Sequence, residues 1–339
     1  MASRRKRPDA SSKLNMKAVL CTDYGPLEQL SIAEIPEPEL RPGCARIQMT
    51  VASINPPDVL MPQGKYQVKP PLPFVPGVEG AGVLLQVAAD VPGLAPGDRV
   101  MTYAGQGCFA QQAVVPALRV RRVPAEMSDE SAAGFVLAYG TAYHALLDNA
   151  QLESGQSLVV LGASGGLGLC AIQIAKTLGA AVIAVASTPE KRAKCLANGA
   201  DYVIDGSCEP LTARIRELTN GRGAHVIFDI VGGEMTEPAL RAIAPYGRFL
   251  IVGYASNQIP SIKANLVLLK QAQVIGVSYR LFAERTPELA LDNLNTLCEL
   301  WRAGKLHPQV TTRYEFAQVV QALRHVADRK AIGKVALFL

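Results

Sequence analysis

The sequence predicts an α/β protein: a doubly wound parallel sheet inserted into a mostly antiparallel β module. Three observations lead there. The first 130 or so residues are short β segments broken by Pro and Gly, the middle alternates strands with helices, and the tail changes character again.

Along the first module, Lys17–Leu20 opens as a strand and Arg46–Ile54 alternates in the two-residue period of a half-buried one. Gly80–Val87, Arg99–Tyr103 and Ala113–Pro116 follow as further strands after turns. Pro56, Pro57, Pro70, Pro71, Pro73 and Pro76 exclude a helix through that stretch. Near Ser131 the pattern shifts, and Ala132–Leu147 has helical spacing. Strands at Ser157–Leu161, Ala181–Ala186, Tyr202–Ile204, His225–Ile230, Arg248–Val252 and Gln273–Val277 then follow. Helices at Gly165–Leu178, Pro189–Ala197, Leu211–Leu218 and Met235–Ile243 lie between them. Gly179 and Gly199 stand where helices end in a left-handed cap, and Pro189 suits a first helical turn. From Tyr279 a long amphipathic helix (Pro287–Ala303), Tyr314-Glu315-Phe316, a helix (Ala317–Asp328) and a last strand (Lys334–Leu339) return the chain to the first module. The expected division is a leader at 1–15, one domain from 16–138 with 279–339, and a nucleotide domain at 139–278.

The composition is that of an ordinary globular protein, with 49% hydrophobic and 19% charged residues in 339. No run of eighteen apolar residues occurs, so no membrane span is expected. The formal charge of +5 owes much to Arg4, Arg5, Lys6 and Arg7; the remainder is near neutral and argues little for nucleic acid. The leader Met1–Asn15 lacks the apolar region of a secretory signal and reads as a disordered tail, or as a nuclear, nucleic-acid or organelle address. Seven scattered cysteines without C-x-x-C spacing fit a reduced, cytoplasmic setting.

Strand Ser157–Leu161 runs through Gly162-Ala163-Ser164-Gly165-Gly166-Leu167-Gly168 directly into a helix, the context of a dinucleotide-binding (Rossmann) turn. Glycines let the backbone approach a pyrophosphate, and the helix N-terminus offers free N–H groups. The second strand ends in Ala184-Val185-Ala186-Ser187-Thr188, without the carboxylate that holds an NAD ribose. Ser187 can donate a hydrogen bond, and Lys191 or Arg192 can supply positive charge. NADPH is the expected cofactor.

Ligands for zinc are missing from the expected places. Ala52-Ser53-Ile54-Asn55 has no thiolate, Val78 precedes Glu79 where a His would stand, and no four-cysteine cluster exists. The four histidines are dispersed. No metal is expected, which favours hydride delivery to an acceptor that is already electron-poor.

The chain resembles the zinc-free quinone reductases of the medium-chain dehydrogenase/reductase superfamily, the group containing zeta-crystallin. The resemblance runs from about Met16 to Leu339. It rests on Ile54-Asn55-Pro56-Pro57-Asp58, Gly64-Lys65-Tyr66 through Pro73-Phe74-Val75-Pro76-Gly77, Gly97-Asp98-Arg99-Val100, Tyr139–Ala145, the Gly162–Gly168 loop and Ala224–Asp229. Ala163 takes the place of a fingerprint glycine, as it does in such reductases. The resemblance implies a GroES-like catalytic domain around the Rossmann domain, and a homodimer pairing sheet edges near Gln273–Tyr279. It also implies that Asn55 and Thr141 line the nicotinamide side and that Ser187 and Lys191 meet the adenosine phosphate. Arg329 comes within reach of that phosphate from the tail, and Gly253 and Tyr254 border the cofactor. One departure stands out: many relatives carry a Tyr where this chain has Asp205-Gly206, which removes one 2′-phosphate contact.

Bland roles stay open beside these. Asn55 before Pro56 can fix a turn, Asp58 can accept backbone N–H groups, and Thr141 can cap a helix. For catalysis, Gln63-Gly64-Lys65-Tyr66 is similar to the segment carrying the proton-donating Tyr of mitochondrial enoyl-thioester reductases. Tyr66 and Asn55 are therefore the catalytic candidates, with a quinone or enone as small-molecule substrate. The alternatives are an enoyl-thioester or enone reductase, and a cofactor-binding protein with an RNA-binding or structural role.

Overall fold

The computed structural model describes residues 15–339; the expected leader therefore lies, apart from Asn15, outside the described residues. β1 (Asn15–Leu20) pairs antiparallel with β2 (Ser31–Pro36), a strand the sequence pattern did not announce. β3 (Cys44–Ile54), β4 (Glu79–Val87), β5 (Arg99–Tyr103), β6 (Gln112–Pro116) and β7 (Val120–Arg122) build one antiparallel sheet. β14 (Val310–Glu315) and β15 (Lys334–Phe338) complete it in the order β14-β15-β3-β4-β5-β7, with β6 on β3; β15 runs antiparallel to β3, and β14 is the exception, parallel to β15. The tail therefore returns to the first module, as its pattern suggested.

The second sheet is wholly parallel: β8 (Ser157–Leu161), β9 (Ala181–Ala186), β10 (Tyr202–Asp205), β11 (Ala224–Asp229), β12 (Ile243–Ile251) and β13 (Gln273–Gly276), in the order β10-β9-β8-β11-β12-β13. That is the doubly wound arrangement, with β8 and β11 central and β8 buried throughout. Helices α4 (Gly166–Thr177), α5 (Pro189–Ala197), α6 (Leu211–Leu218) and α7 (Thr236–Arg241) connect its strands. Apolar residues cover both faces of such a sheet, which is why its strands read as continuous hydrophobic runs. Gly179 and Gly199 do adopt positive φ, 76° and 101°, at their helix ends.

Several sequence expectations need correction. The prolines do not exclude a helix: α1 (Pro56–Leu60) starts on Pro56 and Pro57, where the missing N–H costs nothing. The single helix expected at Ala132–Leu147 is three pieces. α2 (Asp129–Ala133) stops at Gly134, α3 (Val136–Tyr143) follows, and His144–Asn149 widens into a π-helix. Met235–Ile243 ends early, because Ile243 already belongs to β12. Also not expected were α8 (Ala264–Lys270), α9 (Tyr279–Arg285) and the full length of β14. The last two helices, α10 (Pro287–Arg302) and α11 (Val319–Ala327), fall close to expectation.

Candidate active site

At the end of β3 the chain turns at Asn55 into α1, and the Asp58 side chain secures that turn. Its Oδ2 accepts Asn55 N at 2.8 Å and its Oδ1 accepts Val78 N at 2.9 Å, so α1 is stitched to the start of β4. Asp58 is thus a structural acceptor. It is fully buried, and burial, followed by the nearby Glu79 carboxylate, pushes its carboxyl up to about 7 against those two N–H bonds and Lys334.

Beside it lies a polar cluster that the sequence reading did not assemble. Lys334, the first residue of β15, donates to Asn55 Oδ1 at 2.7 Å and to Glu79 Oε1 at 2.8 Å. Asn55 Nδ2 donates to Glu79 Oε1 at 2.9 Å and to Ser53 O at 3.1 Å. Glu79 Oε2 accepts Leu137 N, which carries the network into α3. Both amide hydrogens of Asn55 are therefore spent inside the protein. The signal was present as a lone acid and a lone base, each set in an apolar strand; buried charges of that kind need each other.

The glycine loop sits against the same lysine. A Cβ on Gly166 would stand 2.4 Å from Lys334 Cδ, and one on Gly168 would stand 2.5 Å from Ala163 O, so neither position tolerates a side chain. Gly162 holds φ 76°. Gly165 begins α4 with no side-chain cap, which leaves first-turn N–H groups available to an anion. Ser164 is buried, its carbonyl accepts Gly333 N at 2.8 Å, and its hydroxyl has no partner among the described residues. Leu167, half-buried, packs against the core.

At the far end of the loop three separate segments converge. Ser187 is exposed just past β9, and Thr188 caps α5 by accepting Lys191 N. Lys191 Nζ donates to Arg329 O at 2.9 Å, and Arg329 Nη2 donates to Ser256 O at 3.0 Å, in the loop that follows Gly253 and Tyr254. The structure thus brings Lys191, Arg329 and the Gly253–Tyr254 loop together. Arg192 instead pairs with Asp205 at 2.7 Å, the residue standing where many relatives carry Tyr.

Thr141 lies within α3, not at its cap, and donates to Leu137 O at 2.6 Å, the bond of a mid-helix threonine. Tyr66 is half-buried on the loop after α1, and its hydroxyl has no hydrogen-bond partner among the described residues. Burial raises its pKa, Arg280 opposes this and Asp58 adds to it, so it stays a neutral donor. Among the described residues no cluster of three or more His, Cys, Asp or Glu could hold a metal ion.

Two family profiles match the chain: alcohol dehydrogenase GroES-like domain over residues 41–125 and zinc-binding dehydrogenase over residues 166–296. The quinone oxidoreductase-like protein 2 homolog of Nematostella vectensis is 34% identical over 335 residues, 96% of this chain and 90% of that protein. The chain belongs to the quinone oxidoreductase family of medium-chain dehydrogenases/reductases. As a member of that family it is an oxidoreductase. Among solved structures, a quinone oxidoreductase from Pseudomonas syringae superposes with a TM-score of 0.90 at 27% identity, covering 96% of this chain and all (100%) of that one. Mycobacterial Rv1454c complexed with NADPH gives 0.90 at 29% identity over the same shares, 96% and 100%. These quinone oxidoreductases share the pairing of an antiparallel GroES-like sheet with a parallel Rossmann-type sheet.

Proposed function

We propose that the chain is an NADPH-dependent reductase that delivers hydride to a quinone or another conjugated carbonyl, without zinc. The observation that carries this is the adenosine end of the loop: Lys191 and Arg329 converge there, and no carboxylate ends β9. Cations at that point favour a 2′-phosphate, and a strand-end acid would repel it. A relative bound to NADPH supports the same cofactor. The residues fit it: the Gly162–Gly168 loop, with Ser164 and Leu167, would hold the pyrophosphate. Ser187, Lys191 and Arg329 would meet the phosphate, and Asn55, Thr141, Gly253 and Tyr254 would border the rest. When bound, the reduced nicotinamide supplies the hydride.

Without a metal, charge developing on the acceptor oxygen needs a protein donor, and Tyr66 is the candidate. The cation buried at the centre is the Lys334 ammonium, held by one amide and one carboxylate. That donor set contains no thiolate or imidazole, which supports zinc-free chemistry. The two sheets support a domain division at 16–138 with 279–339 and at 139–278. β13 closes one edge of the parallel sheet, and Ile259, Leu268 and Leu269 are 79%, 76% and 75% exposed on neighbouring segments, which supports a two-fold dimer there. A monomer in gel filtration at working concentration refutes the dimer. All seven cysteines are free, in keeping with a cytoplasmic setting, and no helix among the described residues is long and apolar enough to cross a membrane.

The deciding experiment follows NADPH and NADH oxidation with ortho-quinone, para-quinone, enone and enoyl-thioester acceptors, with and without a zinc chelator. Quinone turnover that prefers NADPH and ignores the chelator supports the reading, and Tyr66→Phe should then lower kcat about 10²-fold. Turnover of the thioester alone replaces it with the enoyl-reductase reading. Tight NADPH binding with no turnover replaces it with a non-catalytic role.

A further inference from the structure

Three phenols gather in one neighbourhood, and only one of them was a sequence candidate. Tyr103 ends β5, Tyr279 opens α9, and Tyr66 stands on the loop after α1. Tyr103 and Tyr279 are 7% and 6% exposed, and their rings meet edge to face with centroids 5.5 Å apart. The Tyr279 tip lies against α3: a Cβ on Gly140, next to Thr141, would stand 2.8 Å from its Oη. Glu79 is near enough to oppose ionisation of Tyr279, and Tyr66 does the same to Tyr103.

Buried phenols ordinarily find a partner, and others in this chain do so. Tyr24 donates to Pro70 O, Tyr139 bonds Gln173 at 2.7 Å, and Tyr314 meets His325 at 3.2 Å. The hydroxyls of Tyr66, Tyr103 and Tyr279 have none among the described residues, and none of the three oxygens is sealed from solvent. They are unpaired donors that solvent can reach.

We propose that Tyr103 and Tyr279, together with Tyr66, bind the oxygens of a flat quinone, which makes Tyr103 and Tyr279 substrate-binding residues that favour quinones over acceptors with one carbonyl oxygen. The proposal rests on the quinone-reductase reading above. Aromatic walls suit a planar ring, and O–H donors from separate segments can reach both carbonyls of one ring. Burial raises the pKa of Tyr103 and Tyr279 far beyond the ordinary phenol range, so both remain donors at every physiological pH. As the quinone is reduced, charge arrives on its oxygens and these hydrogen bonds strengthen.

The test uses full-length wild type, Tyr103→Phe and Tyr279→Phe, substitutions that keep the packed rings and remove only the oxygens. kcat/KM is measured with a para-quinone and with a simple enone, and calorimetry reads NADP+ binding and binding of the matching hydroquinone to the NADP+ complex. The expected result is a loss of about tenfold in quinone kcat/KM and in hydroquinone affinity for each variant, the scale of one hydrogen bond. The enone rate and NADP+ affinity should stay near wild type. Unchanged hydroquinone binding in both variants overturns the proposal, as does an equal loss with enone and quinone. A wild type that turns over no quinone, yet binds hydroquinone through these phenols, refutes the reductase reading and leaves the binding site standing. Failure of both turnover and hydroquinone binding refutes both.

Discussion

Asp58 and Glu79 are two fully buried carboxyls facing one buried ammonium, Lys334. Burial in a poorly hydrated place above all, and then the neighbouring Glu79, hold the Asp58 proton up to about 7 against two N–H donors and Lys334. A carboxyl with a raised folded pKa stabilises the fold most below its unfolded value of 3.8, and that contribution is lost as pH rises through about 7. Asp58→Asn removes this dependence. The melting temperature of the variant relative to the parent should climb from about pH 4 to about pH 7 and level beyond; a flat difference refutes the assignment. His225, whose pKa burial lowers, contributes with the opposite sign, but it is common to both proteins and cancels. Lys334→Met strands the Glu79 carboxylate and should cost about 3–5 kcal/mol in urea unfolding. Adding Glu79→Gln should recover more than half, since it removes the orphaned charge and keeps an acceptor for Leu137 N; an additive second loss would show that the pair is not coupled.

At the scale of elements, the proposed choice of cofactor turns on the ends of β9 and β10 and the start of α5. Asp205 lies opposite Ala186 in the parallel register, and its carboxylate engages Arg192, which also donates to Ala186 O at 3.4 Å. In the proposed NADPH site, phosphate recognition would be left to Lys191 and Arg329, while Asp205 offsets the charge of Arg192. Asp205→Asn should release that arginine and tighten 2′,5′-ADP binding a few-fold while leaving 5′-AMP unchanged; calorimetry with both ligands reads the difference, and equal shifts would refute the idea. Most of this region was legible from sequence, because each parallel strand is an apolar run and each helix end carries its glycine. Where sequence reasoning failed, the reasons are local or long-range. α1 hid behind two prolines that happen to fill its first turn, and α8, with Leu268 and Leu269 turned outward, shows no buried stripe to recognise. Glu79 and Lys334 are 255 positions apart, a separation that no local pattern spans. Tyr103 and Tyr279 escaped for the same reason, since only the packing of distant elements brings their rings into contact.

Across the whole molecule, the last strand fastens the two sheets to each other at the cofactor loop. β15 pairs with β3 and β14 in the antiparallel sheet, and the residue before it, Gly333, forms an isolated bridge with Gly165. A second tie runs through Gln173 on α4, which accepts Tyr139 Oη at 2.7 Å and His307 N at 2.8 Å, just ahead of β14. Gly333 holds φ 75°, and a Cβ there would stand 2.6 Å from Gln309 O, so Gly333→Ala has to shift the backbone that donates to Ser164 O. The left-handed conformation alone costs an L-residue about 1–2 kcal/mol, a factor of about 5–30 if it falls on the bound state of the loop. NADPH should therefore bind that much more weakly to Gly333→Ala. Gly304 supplies the control: its φ is 66° and nothing lies within 4 Å of its would-be Cβ, in the turn after α10. Gly304→Ala carries similar backbone strain and should lower the melting temperature while leaving the NADPH dissociation constant as it is. If both variants weaken cofactor binding equally, the effect is general destabilisation and the strand does not brace the loop. If only Gly333→Ala does, the tail of the chain sets the geometry of a nucleotide site formed some 170 residues earlier.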